Sequence, residues 1–301
     1  MDMTNSFFQT QVHPDDVHLT AVTTPFGLYE WLAMPMGLKN SPPIHQRRMV
    51  ATLRHLIGKI CHVYLDDIII WSNSAAEHTK HIDMVMKALS DAKLPLNPAK
   101  CSSFLLEVDF LGHHISACGI EPHSSKVEKI LNWLVPQNST DVCAFLGLVW
   151  YVAQFLPKLV DHTAILALLT TKDAHKHFPV WSPKHQFAFE AIKALVVSSD
   201  CLTVIDHENP GENKIFVTCD ASNWCTGAVL SFGPTWETAC PVTYDSMQLK
   251  AAEKNYPIHK KELLAIVRAL KKWRSDLLGS PIYVYTNHKT LKNFDTQKDL
   301  S

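Results

Sequence analysis

The chain has 301 residues, 47% hydrophobic and 19% charged, with a net charge of −1. That balance excludes a disordered tail and a collagen-like fibre, and it does not suit a strongly basic nucleic-acid binder taken as a whole. At about 100–200 residues per domain, the length allows about two domains.

In chain order, Ser41-Pro42-Pro43 opens a predicted helix that Gly58 would stop, because proline fits a first helical turn and glycine a C-terminal end. Residues 60–71 are apolar on both sides of Asp66-Asp67 and read as a β-hairpin. A second helix is expected over 75–92, stopped by Pro95 and Pro98, followed by a strand pair around Gly112 over 104–116. Helices are expected over 126–133, 141–155 and 185–197, with prolines 136, 157, 179 and 183 at the breaks. Beyond Asn209-Pro210-Gly211 come three short strands, 215–219, 227–232 and 241–245. A long helix then starts near 250 or 260 and runs to 278, and a last strand covers 282–286. This βββαβ order predicts a mixed sheet with a helix packed on it.

None of the eight cysteines forms a CxxC pair, which argues against a zinc ribbon or a thioredoxin-type site. The N-terminus lacks a secretion pattern, and no apolar run reaches the ~18–20 residues of a membrane helix. A soluble protein of a reducing compartment, cytoplasmic or nuclear, with no membrane partner, is the expectation.

Certain carboxylates stand out. Asp66 and Asp67 sit inside an apolar run, where two acids repel each other and are costly to desolvate; a divalent cation such as Mg²⁺ resolves both problems. An Asp-Asp pair also makes an ordinary hairpin turn, but Tyr64 and the long apolar flanks are unusual for one. On a helix from 260 to 278, Glu262 shares a face with Ile266, Ala269 and Trp273, while Lys260, Arg268 and Lys271 lie on the other side. A carboxylate there either meets a partner such as Asp220, at the end of strand 215–219, or sits in a first turn that welcomes negative charge. Asp2, by pattern alone, is an ordinary N-terminal residue. Residues 250–274 carry eight bases against two acids, a net of +6. That stretch either contacts a phosphate backbone or is a solvated helix face.

Set in order, these motifs form a pattern. They comprise Met34-Pro35-Met36-Gly37-Leu38-Lys39-Asn40-Ser41-Pro42, Tyr64-Leu65-Asp66-Asp67, Phe110-Leu111-Gly112-His113-His114-Ile115, Phe145-Leu146-Gly147-Leu148, Thr218-Cys219-Asp220-Ala221-Ser222, Lys261-Glu262-Leu263-Leu264-Ala265-Ile266-Val267 and Tyr285-Thr286-Asn287-His288. The chain resembles the reverse transcriptase–ribonuclease H part of a gypsy-type LTR retrotransposon polyprotein over essentially its whole length. The resemblance implies an α+β fold. A palm would cover residues 1–120, a helical thumb 121–205 and a ribonuclease H-like mixed-sheet domain 206–301. It implies that Asp2, Asp66 and Asp67 hold two Mg²⁺ ions for RNA-directed DNA synthesis. Phe7 would then be the aromatic floor under the incoming sugar, with Gly37 and Gln46 in the nucleotide pocket. Asp220 and Glu262 would hold the ribonuclease H metals. The partners implied are primer-template, RNA/DNA hybrid and deoxynucleotides.

The departures from the pattern carry expectations too. The fingers that precede the first palm aspartate and the last ribonuclease H carboxylate are both expected to be missing. Asn287 stands where the pattern has aspartate, and a neutral amide is a weaker Mg²⁺ ligand. Cys143 and Trp150 replace thumb arginines, and Lys260 replaces a glutamate. This chain alone is therefore expected to be inactive or impaired in both activities; the alternative is a non-catalytic nucleic-acid-binding relic.

Overall fold

The computed structural model describes residues 1–199, 201–207 and 209–287. It divides into two compact units, residues 1–106 and 107–301.

The first unit opens with a short 3₁₀ turn at Ser6–Gln9 and a small hairpin, β1 (Val22–Thr24) and β2 (Gly27–Tyr29). Helix α1 (Ser41–Leu53) follows, with both prolines in its first turn as predicted. Strands β3 (Cys61–Tyr64) and β4 (Asp67–Ile70) pair antiparallel, so the predicted hairpin forms around Leu65-Asp66. Helix α2 (Ala75–Asp91) starts where Ser74 accepts a hydrogen bond from the Glu77 amide, while the Glu77 carboxylate accepts from Asn73 N–H. Met49 and Leu53 from α1, Ile68 from β4, and Val85 and Leu89 from α2 bury one core.

The second unit begins with a three-stranded antiparallel sheet, β5 (Val108–Phe110), β6 (His113–Ser116) and β7 (Gly119–Pro122). Helices α3 (Ser124–Leu131), α4 (Ser139–Tyr151), α5 (Val160–Ala167), α6 (Lys172–Lys176) and α7 (Pro183–Val197) follow. Two of them, α5 and α6, were not foreseen. In α5 the apolar residues leave no polar stripe to mark a helical period, and α6 spans little more than one turn. Phe145 is fully buried, with its ring 4.7 Å from Phe189 and 6.0 Å from Trp133.

Strands β8 (Lys214–Ala221), β9 (Cys225–Gly233) and β10 (Cys240–Gln248) form an antiparallel run. Burial alternates along β9, with one face on the core and the other toward solvent. The long helix expected next is broken into α8 (Ala251–Lys254), α9 (Ile258–Lys272) and α10 (Arg274–Leu277). Pro257 takes an extended conformation at the first break, and Gly279, at φ 88°, ends the segment. Strand β11 (Ile282–Thr286) returns parallel to β8, giving the sheet order β10-β9-β8-β11. The predicted mixed sheet with a helix on it is the observed arrangement. No helix among the described residues is long and apolar enough to cross a membrane.

Truncating Phe145 opens a large cavity between α4 and α7. Phe145→Ala should lower unfolding free energy by about 3–5 kcal/mol, measured by urea denaturation followed by far-ultraviolet circular dichroism.

Candidate active site

In the first unit the N-terminal residues run alongside β4. The Met1 ammonium donates to Ile68 O at 2.7 Å and Ile68 N–H donates to Met1 O at 2.9 Å. On the other side Asn97 N–H donates to Asp2 O at 3.0 Å, and Met3 pairs with Leu96. These bonds set Asp2 beside the hairpin although more than sixty residues separate it from Asp67. Asp2 Oδ2 lies 3.4 Å from Lys100 Nζ, while its Oδ1 is buried without a hydrogen-bond partner. Asp67 is held above the ordinary carboxylate range, first by burial and then by the charges of Asp66 and Asp2. The N-terminal ammonium and Lys100 only partly offset this.

The hairpin turn is strained and clamped. Leu65 has φ 52°, a left-handed conformation that a leucine rarely adopts. Gln46 on α1 holds it: its Oε1 accepts from Leu65 N–H at 2.6 Å, and its Nε2 donates to Val63 O at 3.2 Å. Gln46 therefore braces the aspartate turn; its side-chain amide is spent on the hairpin backbone. Phe7 presents its ring to His45 at 5.4 Å, and His45 is fully buried on α1. Burial holds the His45 imidazole below its ordinary value, against the opposing charge of Asp66. Gly37 sits at φ 94°, which favours glycine, two residues after Pro35, whose carbonyl accepts from Ser41 Oγ at 3.2 Å.

In the second unit, Asp220 ends β8 and accepts from Ala221 N–H at 2.9 Å. Asn287, just past β11, turns its amide toward it, Nδ2 donating to Asp220 Oδ1 at 3.3 Å. The parallel pairing of β11 with β8 brings these two positions together. Glu262 is buried on α9, and its charge adds to the burial that pushes the neighbouring Cys219 thiol up to about 12. Lys261 is buried beside it and donates to Asn223 Oδ1 at 3.2 Å. His288 of the last motif lies outside the described residues.

The +6 stretch is less available than its composition implies. Arg268 does not lie on the solvent side of α9; it pairs with Glu253 at 2.8 Å and donates to the buried Thr226 at 3.1 Å. Lys272 pairs with Asp245. Lys254 lies over the Trp224 ring, its Nζ 5.3 Å from the ring centroid, a cation–π approach.

As placed, no three His, Cys, Asp or Glu side chains among the described residues surround one point. The donor set nevertheless suits a hard cation. Asp2 offers an orphaned buried oxygen, and the crowded Asp67 would lose its repulsion to a positive ion. At the end of β8, Asp220 meets an amide acting as a hydrogen-bond donor.

Comparison with known proteins gives the family and the fold. Residues 1–115 match the reverse transcriptase (RNA-dependent DNA polymerase) family, and residues 211–301 the RNase H-like domain found in reverse transcriptase. The chain therefore belongs to the reverse transcriptases that carry a ribonuclease H-like domain. Its relatives are transposon polyproteins. It is 38% identical over 294 residues to the retrovirus-related Pol polyprotein from transposon 297 of Drosophila melanogaster, covering 97% of this chain and 26% of that protein. It is 35% identical over 295 residues to the transposon Tf2-3 polyprotein of Schizosaccharomyces pombe, covering 97% and 22%. The chain thus spans about a quarter of the length of these relatives. The fold is that of the foamy viral protease-reverse transcriptase. The structure of that protein with dsDNA aligns at TM-score 0.82 and 24% identity, over 99% of this chain and 60% of that one. Its structure with RNA/DNA hybrid aligns at TM-score 0.81 and 24% identity, over 100% and 40%.

Replacing Gln46 by alanine should leave the Leu65 amide unpaired and cost about 1–3 kcal/mol of unfolding free energy in urea titrations. Gln46→Glu, which keeps the acceptor but not the donor, should fall between alanine and the natural chain.

Proposed function

We propose that this chain is the palm, thumb and ribonuclease H part of a gypsy-type retrotransposon polyprotein, built for Mg²⁺-dependent RNA-directed DNA synthesis and impaired in hybrid cleavage. The relatives' polyprotein names and the shared family support the retrotransposon origin. The impairment rests on one observation, the Asn287 amide donating to Asp220.

At the polymerase site, Asp2, Asp66 and Asp67 would hold the cations. Bound cations supply charge neutralisation of a triphosphate and activation of a primer hydroxyl. The chain's own residues do the placing. The Met1–Ile68 backbone bonds fix Asp2, Gln46 fixes the aspartate turn, and Phe7, seated on His45, offers the flat apolar floor for a deoxyribose. Primer-template and deoxynucleotides are the partners this reading requires.

At the second site, Asp220 and Glu262 supply carboxylates, but Asn287 contributes no charge and spends an N–H on Asp220. That bond competes with a cation for the same oxygen. RNA/DNA hybrid would be the substrate, and weak cation binding the defect. The rival reading, a nucleic-acid-binding relic without catalysis, leans on the basic stretch at 250–274, part of which is spent on internal pairs.

Two measurements test the proposal. In calorimetric titration with Mn²⁺, the chain should bind the ion, and Asp67→Asn should weaken that binding at least about tenfold through the loss of a carboxylate. Unchanged binding would remove the hairpin acids from the cation site. With a fluorescent RNA/DNA hybrid in Mg²⁺, Asn287→Asp should raise cleavage at least about tenfold. No rise would show that the defect lies elsewhere.

A further inference from the structure

Residues 201–203 form a strap between two sheets of the second unit. Leu202 exchanges both backbone hydrogen bonds with Ile120 of β7, at 2.8 and 2.9 Å, and Thr203 N–H donates to Pro241 O of β10 at 2.8 Å. Each of the three elements carries a cysteine at this junction: Cys118 in the β6–β7 turn, Cys201 on the strap and Cys240 at the start of β10. The three are free thiols, Cys118 and Cys240 exposed and Cys201 half-buried.

Cys201 points at the β6–β7 turn. Its Sγ lies 3.2 Å from Cys118 O. A Cβ placed on Gly119 would stand 2.9 Å from the same sulfur and 2.2 Å from Leu202 O. Glycine at this position, with φ 134°, is what lets the strap come so close. Burial pushes the Cys201 thiol up, with the Glu121 carboxylate next in effect, and Cys118 and Cys240 also act on it. The three sulfurs therefore share one electrostatic neighbourhood.

We propose that Cys118 and Cys201 are a redox pair, closing to a disulfide that staples the strap to the β6–β7 turn under a peroxide oxidant. Exposed Cys118 reacts first: its thiolate sulfur attacks one peroxide oxygen, the O–O bond breaks, and sulfenic acid and water form. The Cys201 sulfur then attacks the sulfenic sulfur, forming the S–S bond and releasing a second water. In sum, two thiols and one hydrogen peroxide give a disulfide and two waters. A dithiol reductant reverses it. The bond would close a loop that holds the whole helical region between β7 and the strap, the arrangement in which a cross-link restricts the unfolded chain most.

The test uses the full reduced chain and hydrogen peroxide. Proteolysis without reductant followed by mass spectrometry should yield a linked peptide pair containing Cys118 and Cys201, lost on adding dithiothreitol. The melting temperature of the oxidised chain should rise by about 5–10 °C. Cys118→Ser and Cys201→Ser should each abolish both effects, and Cys240→Ser should keep them. Circular dichroism of each reduced variant checks that it folds, and the exposed Cys118 position makes its serine variant the safer of the two. Sulfinic acid on Cys118 without a cross-link would overturn the proposal. So would linkage only through Cys240 or only between chains.

Discussion

A strand that carries an acid into an apolar setting cannot be held there by the acid itself, because the charge repels its neighbours and resists leaving water. The backbone has to do the holding. In the first unit this falls to the exchange of hydrogen bonds between Met1 and Ile68, with the Asn97–Asp2 bond on the far side. Everything proposed for the aspartates follows from that pairing. It puts Asp2 beside Asp67, whose proton affinity burial raises first and the charges of Asp66 and Asp2 raise further, and it leaves one Asp2 oxygen buried without a partner. The arrangement is unfavourable for the bare chain and favourable for a cation. Gln46 serves the same end by holding Leu65 in a conformation that its side chain opposes.

The second site is built by a different device. There the sheet register supplies the convergence, since parallel pairing of β11 with β8 delivers position 287 to the end of β8. The register holds whichever residue occupies the position. Asn287 takes that place with a neutral amide that donates to Asp220, the bond on which the proposed impairment rests.

What could be read from the sequence follows the same division. The aspartate hairpin, the proline-opened α1 and the strand–helix order after residue 210 were all legible, because proline, glycine and alternating burial are local signals. Helix α5 was not, because its surroundings and not its own period decide its burial. Of the two starts read for the long helix, the one near 260 agrees with α9, which opens just after Pro257. At the sites, the acids could be seen as residue types but their partners could not. Lys100 reaches Asp2 from the far end of the unit, and Arg268 finds Glu253 across the break between α8 and α9. Charge counted along a chain overstates the charge presented by its surface, as residues 250–274 demonstrate.

The position of β11 also bears on how the protein is made. A chain emerging from the ribosome delivers β8, β9 and β10 in succession, and their antiparallel pairing needs only short turns. The edge of β8 that faces β11 stays open until α8, α9 and α10 have been synthesised. For that interval Asp220 stands at the end of a strand with one open edge, and a nascent chain presents that sticky edge to other chains. Strand β11 therefore both covers that edge of β8 and brings Asn287 to Asp220.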